Sequence, residues 1–307
     1  MDSVERHLRA AVGNLRVHRR GERRAPHKPL LILHALGRLA ANRPRLMTFT
    51  EVEDELGELL RDFGPPSNPQ PRYPFWRLRT DGIWEVIPDL PLDAGGDPPV
   101  RALRAARGGF PGPIDELLRN RPELVDDLAA TVLQAEFPPS VHAELLARVG
   151  LDAAPTALPR PGRDPAFRRD VLRAYGYQCA ICGYNGCLDR DPIGLDAAHV
   201  RWHAYAGPDV VDNGLALCSL HHVALDRGAV GIDQERRLMV SQAFHGRGPA
   251  AGQIIGLAGK PLQQPQRGRP PLAPEHTTWH ADEVFRHPAL AAAAPRTAAA
   301  EDRTDYL

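Results

Sequence analysis

Residues 218–222 read CSLHH, and residues 179–183 read CAICG. Each stretch contains two metal-ligating side chains separated by two residues, so the two pairs together supply four soft or borderline ligands. Four such ligands are enough for a closed tetrahedral zinc site. The predicted ligands of this structural zinc are Cys179, Cys182, Cys218 and His221. The fourth cysteine, Cys187, is predicted to be a core or loop residue.

His222 does not belong to that zinc site, because neighbouring residues on a helix point about 100° apart. Upstream, His199 follows an apolar, strand-like run, and Asn213 precedes a glycine at a turn. Hydrolysis of a phosphodiester needs a general base and a divalent cation. One imidazole is a suitable base near neutral pH, a second can bind the cation, and an asparagine can hold the loop that orients the base. The three residues together predict a hydrolytic site.

The composition is that of a globular protein with enough length for about two domains. Hydrophobic residues make up 43% of the sequence and charged residues 25%. No apolar run reaches the roughly 18 residues of a membrane span, so we expect no membrane partner. The first ten residues, MDSVERHLRA, lack the apolar segment of a signal peptide, and we expect a cytoplasmic protein. In a reducing compartment, four clustered cysteines favour metal binding over disulfides.

The pattern along the chain predicts an α+β fold with two domains. Residues 1–150 are predicted to form a mostly helical, winged-helix-like domain. Within it, residues 48–64 begin with threonine and end with glycine, as a capped helix does. A β-hairpin is predicted around Asp81 and Gly82, because β-branched and aromatic runs flank them.

Proline-rich residues 151–165 lack periodicity and are predicted to be a linker. Residues 166–290 contain all the cysteines and are predicted to form the second domain with an extended C-terminal segment. That segment is expected to dock through Trp279 and Phe285. Residues 291–307 are predicted to be a disordered tail.

The net charge is zero, but the charges are unevenly distributed. Residues 1–45 contain eleven Arg or Lys and three acids, whereas residues 46–64 contain six acids and one Arg. A basic face in a neutral protein is a suitable contact surface for nucleic acid. The alternative is an ordinary solvated helix face.

The segments CAICG, LDAAHV and VVDNGLALCSLHHVALDRGAVGI closely resemble the HNH nuclease family. This resemblance covers about residues 175–235 and implies a ββα-metal fold, in which two strands and a helix surround one catalytic cation. It also implies that His199 is the general base, Asn213 orients the loop and His222 binds a magnesium or manganese ion. Many family members have an aspartate directly before the base, where this chain has Ala198. We expect Asp196 to substitute as the second cation ligand.

The first domain contains three features that suit DNA. RRAPHKPLL places Arg24, His27 and Lys28 at a predicted helix start, where backbone N–H groups also favour phosphate. RYPFWRL mixes cationic and aromatic groups, and RGGFPGP sets an arginine in a glycine-rich loop. Core packing and helix capping are the alternative explanations. The predicted DNA-binding residues are Arg24, His27, Lys28, Tyr73, Pro74, Trp76 and Arg107.

The combination of HKPLLILHALGRL, YPFWRLRTDGIWEV and GGFP resembles the sulfur-binding domain of restriction endonucleases that recognise phosphorothioate DNA. The resemblance covers about residues 5–150 and implies an apolar cup for sulfur, with Tyr73 and Pro74 as its best candidates. The chain is therefore expected to be a type IV modification-dependent restriction endonuclease that binds phosphorothioated double-stranded DNA. A nuclease reading methylated cytosine and a non-catalytic, zinc-containing DNA-binding regulator are the alternatives. Cutting both strands favours a homodimer.

Overall fold

The computed structural model describes residues 3–15, 25–66, 69–151 and 165–291. Most of the predicted linker, the predicted tail after residue 291, and Arg24 lie outside these residues. The fold mixes helices with small antiparallel sheets. None of the helices in the described part of the chain has the length and hydrophobicity that a membrane span needs.

The first part of the chain is mainly helical. Its helices are α1 (Ser3–Gly13), α2 (His27–Ala40), α3 (Phe49–Phe63), α4 (Arg72–Arg77), α5 (Val100–Leu103), α6 (Gly112–Asn120), α7 (Pro122–Glu136) and α8 (His142–Val149). Helix α2 is central, since it contacts α3, α4, α6, α7 and α8. Its residues from Pro29 to Leu39 are all buried. A helix that is apolar on nearly every side lies in a core, which explains this position.

Helix α3 begins where the sequence predicts. The Thr48 side chain accepts a hydrogen bond from the Glu51 backbone N–H, and Glu51 Oε2 accepts one from the Thr48 backbone N–H at 2.7 Å. This reciprocal pair satisfies two N–H groups that the first helical turn leaves without intrahelical partners. At the C-terminal end of the helix, the backbone N–H of Gly64 donates a hydrogen bond to the Leu60 carbonyl.

The hairpin predicted around Asp81 and Gly82 does not form. The residues before Asp81 form α4 and a 3₁₀ turn, and Gly82 ends that turn with a φ of 73°. The strands of this domain are β1 (Met47–Thr48), β2 (Glu85–Ile87) and β3 (Arg107–Gly109), in the order β1-β3-β2. The left-handed conformation that glycine allows in a hairpin turn also terminates a helix, and the buried Phe75 and Leu78 face the core in helical register. The prediction of a hairpin at Asp81 and Gly82 was therefore wrong.

The second part of the chain is built around a ββα unit. Strands β6 (Leu195–His199) and β7 (Gly214–Cys218) pair antiparallel, with Leu195 opposite Cys218 and His199 opposite Gly214. Helix α10 (Ser219–Asp226) follows β7 directly. The surrounding elements are α9 (Pro165–Ala174), β4 (Cys187–Leu188), β5 (Asp191–Pro192), β8 (Val230–Ile232), β9 (Leu238–Val240), α11 (Pro249–Ile255) and α12 (Pro274–Glu283).

Helix α9 packs across this unit and explains why residue 214 is glycine. A Cβ atom on Gly214 would lie 2.3 Å from a Val171 methyl group and 3.1 Å from the Phe167 ring. The absence of a side chain lets α9 approach the two strands closely. As a result, the Phe167 ring stacks on the His199 imidazole, with 4.0 Å between ring centroids.

The buried apolar residues form two large clusters, one between Leu8 and Leu151 and one between Phe167 and Leu272. A small third cluster joins Trp202, Tyr205 and Trp279 with Val284. The C-terminal segment docks as predicted, since Trp279 is 5% exposed and Phe285 is fully buried.

Candidate active site and nucleic-acid interface

The four predicted zinc ligands converge in the structure. One ligand atom from each of Cys179, Cys182, Cys218 and His221 lies within 4.8 Å of every other. His221 Nδ1 is 3.2 Å from Cys218 Sγ, and the Cys182 and Cys218 sulfurs are 4.0 Å apart. Zn–S bonds of about 2.3 Å in a tetrahedron require sulfurs about 3.8 Å apart, so the donor set fits one zinc ion. Cys187 is exposed and is not a member of the cluster.

The thiols of this cluster differ in acidity. Burial alone would raise the pKa of Cys179, but hydrogen bonds from His221 and neighbouring backbone groups outweigh it and bring the pKa to about 6. Burial and the neighbouring sulfurs raise the pKa of Cys182 to about 12. One thiolate therefore forms readily while the others resist ionisation beside it. Such mutual repulsion is relieved when a cation binds between the sulfurs.

The side chains of the two adjacent histidines lie in different environments, as the sequence predicts. His221 is buried among the cysteines. The side chain of His222 is 18% exposed, and its Nε2 lies 3.3 Å from Asp226 Oδ2, one helical turn later. A carboxylate behind the Nε2 atom of a histidine favours the tautomer whose Nδ1 can bind a cation. Asp226 is itself only 2% exposed in its side chain.

His199 lies at the end of β6 and is held on two sides. Its ring stacks on Phe167, and its Nε2 lies 2.7 Å from Asp209 Oδ1. An ionised Asp209 carboxylate would accept a hydrogen bond from Nε2, which would leave Nδ1 as the basic nitrogen of the ring. Asp209 is thus an orienting residue that the motif spacing did not identify. The sequence offered two acids between His199 and Asn213, namely Asp209 and Asp212, with nothing to select Asp209.

Asn213 is completely buried and holds the loop between the two strands. Its Oδ1 accepts from the Arg201 backbone N–H at 2.8 Å, and its Nδ2 donates to the Arg201 and Pro208 carbonyls at 3.0 Å. These bonds determine the path of the chain directly after His199. The geometry is therefore that of a side chain that positions the loop.

Asp196 does not join His199. The two residues are three positions apart on β6, so their side chains point to opposite faces of the strand. Asp196 is 53% exposed in its side chain, and its Oδ1 accepts from Arg168 Nε at 2.8 Å. The expectation that Asp196 supplies the second cation ligand is therefore corrected by strand alternation. Apart from the cysteine cluster, the described residues contain no group of three His, Cys, Asp or Glu ligands.

A cavity of about 540 Å³ opens between the start of α2, helix α4 and the loop at residues 95–97. Its wall includes five of the seven predicted DNA-binding residues, namely His27, Lys28, Tyr73, Pro74 and Trp76. Volumes between about 300 and 1,000 Å³ are typical of ligand sites. The basic helix start and the aromatic segment thus contribute to one cavity, although more than forty residues separate them.

Two of the cations in this cavity wall, Lys28 and Arg77, have acidic partners. Lys28 forms a short ion pair with Asp81, and both side chains are mostly buried. Arg77 binds Asp97 through two nitrogens, at 3.1 and 2.6 Å. Each of these Arg77 hydrogen bonds helps to hold the pKa of Asp97 below its usual value. The charges of Lys28 and Arg77 are therefore balanced within the wall, whereas Arg79 lies over an aromatic ring.

Aromatic groups form the softer part of the wall. Trp76 Nε1 donates to the Gly96 carbonyl at 3.1 Å, which places the loop beside α4. The Arg79 guanidinium lies 3.8 Å from the centre of the Trp76 ring, and Arg72 lies 4.5 Å from that of Tyr73. Guanidinium groups above aromatic faces form favourable cation–π contacts. The cavity therefore combines polarizable rings with cations that are held in place.

Arg107 stands apart from the cavity. It is an exposed residue of β3, paired with Thr48 on one side and Ile87 on the other. The structure therefore does not bring Arg107 into the cavity wall formed by His27 and Tyr73.

Two family models match the chain. Residues 5–154 match the ScoMcrA-like DNA sulfur-binding domain, and residues 179–233 match the HNH endonuclease domain. Among curated proteins no match was found.

Solved structures with similarity to the first part include the sulfur-binding domain of ScoMcrA complexed with phosphorothioated DNA. It is 29% identical, with a TM-score of 0.42, and the match covers 49% of this chain and 97% of that chain. The sulfur-binding domain of SprMcrA complexed with phosphorothioated DNA is 26% identical, with a TM-score of 0.42 and coverages of 49% and 95%.

The type IV phosphorothioation-dependent restriction endonuclease ScoMcrA is 28% identical over 49% of this chain, with a TM-score of 0.40. That match covers 32% of the ScoMcrA chain, so this protein corresponds to about a third of its length. In this protein, a ScoMcrA-like DNA sulfur-binding domain is followed by an HNH endonuclease domain.

Proposed function

We propose that the protein is a type IV restriction endonuclease that binds phosphorothioated double-stranded DNA and hydrolyses its phosphodiester bonds. The observation that carries this proposal is the presence of both required sites in one chain. The aromatic cavity lies within the matched sulfur-binding domain, and His199, Asn213 and His222 lie within the matched HNH domain. A reader and a catalyst on one chain together specify a modification-dependent nuclease.

The cavity wall suits a sulfur atom better than an oxygen atom. Sulfur is larger, more polarizable and less strongly hydrated, so it loses less on leaving water for a wall of Tyr73, Pro74 and Trp76. Because Lys28 and Arg77 already pair with acids, these two cations attract ordinary phosphate less than unpaired cations would. Discrimination between sulfur and oxygen then depends on the contact of that atom with Tyr73, Pro74 and Trp76. The exposed arginines outside the wall supply general affinity for the DNA backbone.

In the proposed hydrolytic step, His199 is the general base that removes a proton from the attacking water. Asp209 holds the opposite edge of the ring, and Asn213 keeps the following loop in position. His222 is the proposed ligand for magnesium or manganese, supported from behind by Asp226. A divalent cation at this position stabilises the charge that develops on the leaving oxygen. His222 would hold the cation, and substrate phosphate oxygens and water would complete its coordination.

The cysteine cluster is proposed to bind a separate, structural zinc. Its four ligands leave no open position for substrate, which is the arrangement of structural sites. The proposed zinc connects the start of α10 to the Cys179 turn, and α10 bears His222. Zinc would thus anchor the start of the helix that bears His222.

One active site cuts one strand at a time, so a double-strand break is proposed to require two copies of the chain. The cytoplasmic location stays a prediction from the sequence.

The test is a gel-shift titration with two duplexes that differ by a single sulfur, at one fixed salt concentration and without divalent cation. Salt is fixed because phosphate contacts make affinity strongly salt-dependent. We expect a preference of about tenfold or more for the sulfur duplex, equivalent to about 1.4 kcal/mol. The preference should shrink in Tyr73→Ala. Equal binding of both duplexes by the wild type would reject sulfur reading, and a preference for a methylated duplex would favour that alternative.

A further inference from the structure

The two domains meet at the elements that carry the hydrolytic residues. The 3₁₀ turn Pro139–Val141 of the sulfur-binding domain packs on α10, which bears His222. The end of α7 packs on the 3₁₀ turn His203–Tyr205, which lies in the loop that Asn213 holds. The interface therefore borders the catalytic centre on two sides.

Ser140 forms the first polar contact across this interface. Its hydroxyl donates a short hydrogen bond to Asp226 Oδ2. The same carboxylate oxygen lies 3.3 Å from His222 Nε2. Residues behind a metal-binding histidine fix its tautomer and orientation, and their loss weakens metal binding. Ser140 thus orients the carboxylate that orients His222.

Glu136 forms the second polar contact. Its Oε2 accepts a hydrogen bond of 2.7 Å from the Tyr205 hydroxyl, and both residues are about 95% buried. Arg201 Nε also donates to the Tyr205 carbonyl at 2.9 Å, which joins Tyr205 to the segment that Asn213 binds. A buried carboxylate is stable only when it is hydrogen-bonded, so this contact has a defined geometry.

A third contact across the interface offers a comparison. Arg227 Nη2 lies 3.4 Å from Glu144 Oε1, and the Glu144 side chain is 48% exposed. Such exposed pairs contribute little to stability. Glu144 pairs with Arg227 and not with Asp226, His222 or the Asn213 loop. A substitution of Glu144 therefore tests the effect of domain contact alone, separately from the positioning of the hydrolytic residues.

We propose that Ser140 and Glu136 of the sulfur-binding domain are positioning residues for the nuclease centre. Ser140 acts through Asp226 on the cation ligand His222, and Glu136 acts through Tyr205 on the loop that follows the base His199. The HNH domain is then fully competent only while the sulfur-binding domain is docked on it. This inference rests on the proposed function, because it assigns these residues to that same hydrolytic site.

The test uses the full-length, zinc-loaded protein and four variants. Ser140→Ala removes the donor to Asp226, Ser140→Thr keeps a hydroxyl, Tyr205→Phe removes the donor to Glu136, and Glu144→Ala is the matched control. Binding of manganese is measured by electron paramagnetic resonance without DNA, and cleavage is measured in single turnovers on whichever duplex the wild type cuts. Duplex affinity without cation is measured in parallel.

We expect Ser140→Ala to bind manganese about three- to tenfold more weakly and to cleave about tenfold more slowly, with unchanged duplex affinity. Ser140→Thr should retain both properties within about twofold, because its hydroxyl can still donate. Tyr205→Phe should slow cleavage about fivefold with little change in manganese affinity, since it acts on the loop of the base. Glu144→Ala should stay within about twofold of the wild type throughout.

Wild-type manganese affinity and cleavage rate in Ser140→Ala would overturn the proposal. An equal loss of manganese affinity and cleavage rate in Glu144→Ala would also overturn it, since that result would mean that any weakening of the domain contact has the same effect. Failure of the proposed function is seen separately, as wild-type protein that binds sulfur and oxygen duplexes equally. The manganese measurement needs no cleavage and decides the role of Ser140 in that case as well, while the cleavage rate of Tyr205→Phe decides the role of Glu136.

Discussion

The nuclease centre and the aromatic cavity are assembled in opposite ways. The cysteine cluster, the proposed base and the proposed cation ligand all come from residues 179–226, on one ββα unit and its flanking turns. The cavity wall is assembled from residues 25–97, and its ion pairs join positions 53 and 20 residues apart. In the nuclease centre, short motifs supply the ligands in pairs and one hairpin joins those pairs over 36 and 42 residues. In the cavity, no single short motif supplies the wall, and the packing of separate helices and loops brings its residues together.

This difference teaches how function is distributed over the residues. A metal site or a general base depends on particular atoms within a few tenths of an ångström, so one substitution removes it. The cavity discriminates through several soft contacts and balanced charges, so one substitution changes its selectivity by degrees. The expected effects of mutations should therefore be large in the nuclease centre and graded in the cavity.

Cys179→Ser should have the largest effect. It removes a buried thiolate ligand from the cluster, and structural zinc sites contribute on the order of 10 kcal/mol of apparent binding energy. We expect loss of the bound zinc and unfolding of the HNH domain at a lower temperature, measured by metal analysis and calorimetry. Cys187→Ser is the control, because this exposed cysteine lies outside the cluster. Equal melting of both variants without zinc loss would refute the zinc assignment.

His199→Ala should have the next largest effect, and only on cutting. A positioned general base contributes about 10²- to 10⁴-fold to the rate, so single-turnover cleavage should fall by that factor. Affinity for the sulfur duplex without cation should stay within about twofold, because His199 lies outside the cavity. His245→Ala replaces an exposed histidine and controls for general effects. Loss of duplex binding in His199→Ala would contradict the separation of the two sites.

Asp81→Asn should have the smallest effect and tests the balance of charge in the cavity. The change releases Lys28 from its ion pair while keeping the side-chain shape. Lys28 then becomes available to ordinary phosphate, so affinity for the unmodified duplex should rise about three- to tenfold and the salt slope should steepen by about one. The preference for sulfur should narrow accordingly in gel shifts at several salt concentrations. Asp89→Asn replaces an exposed acid outside the cavity wall and is the control.

An unchanged salt slope in Asp81→Asn would mean that Lys28 does not face the DNA backbone. The preference of the cavity for sulfur over oxygen would then have a cause other than the pairing of Lys28 with Asp81.

The places where sequence-based expectations differ from the structure share a physical cause. Asp81 and Gly82 favour a hairpin locally, but the preceding aromatic residues bury their rings in a helical register, and β2 pairs with β3 instead. Asp196 is close to His199 in sequence, yet the alternation of a strand directs it to the other face. Asp209 is ten residues from His199 in sequence, and only the path of the loop held by Asn213 brings it within hydrogen-bonding distance.

By itself, the sequence determined the ligand set of the cysteine cluster, the separate directions of His221 and His222, and the order of the two domains. These features depend on spacings of a few residues, and regular helices and strands convert such spacings directly into geometry. Only the tertiary structure decided the partner of Lys28, the orientation of His199 by Asp209, and the contact from Ser140 to Asp226. Those pairs are separated by 53, 10 and 86 residues, so loop paths and domain packing bring them together and local conformational preference does not.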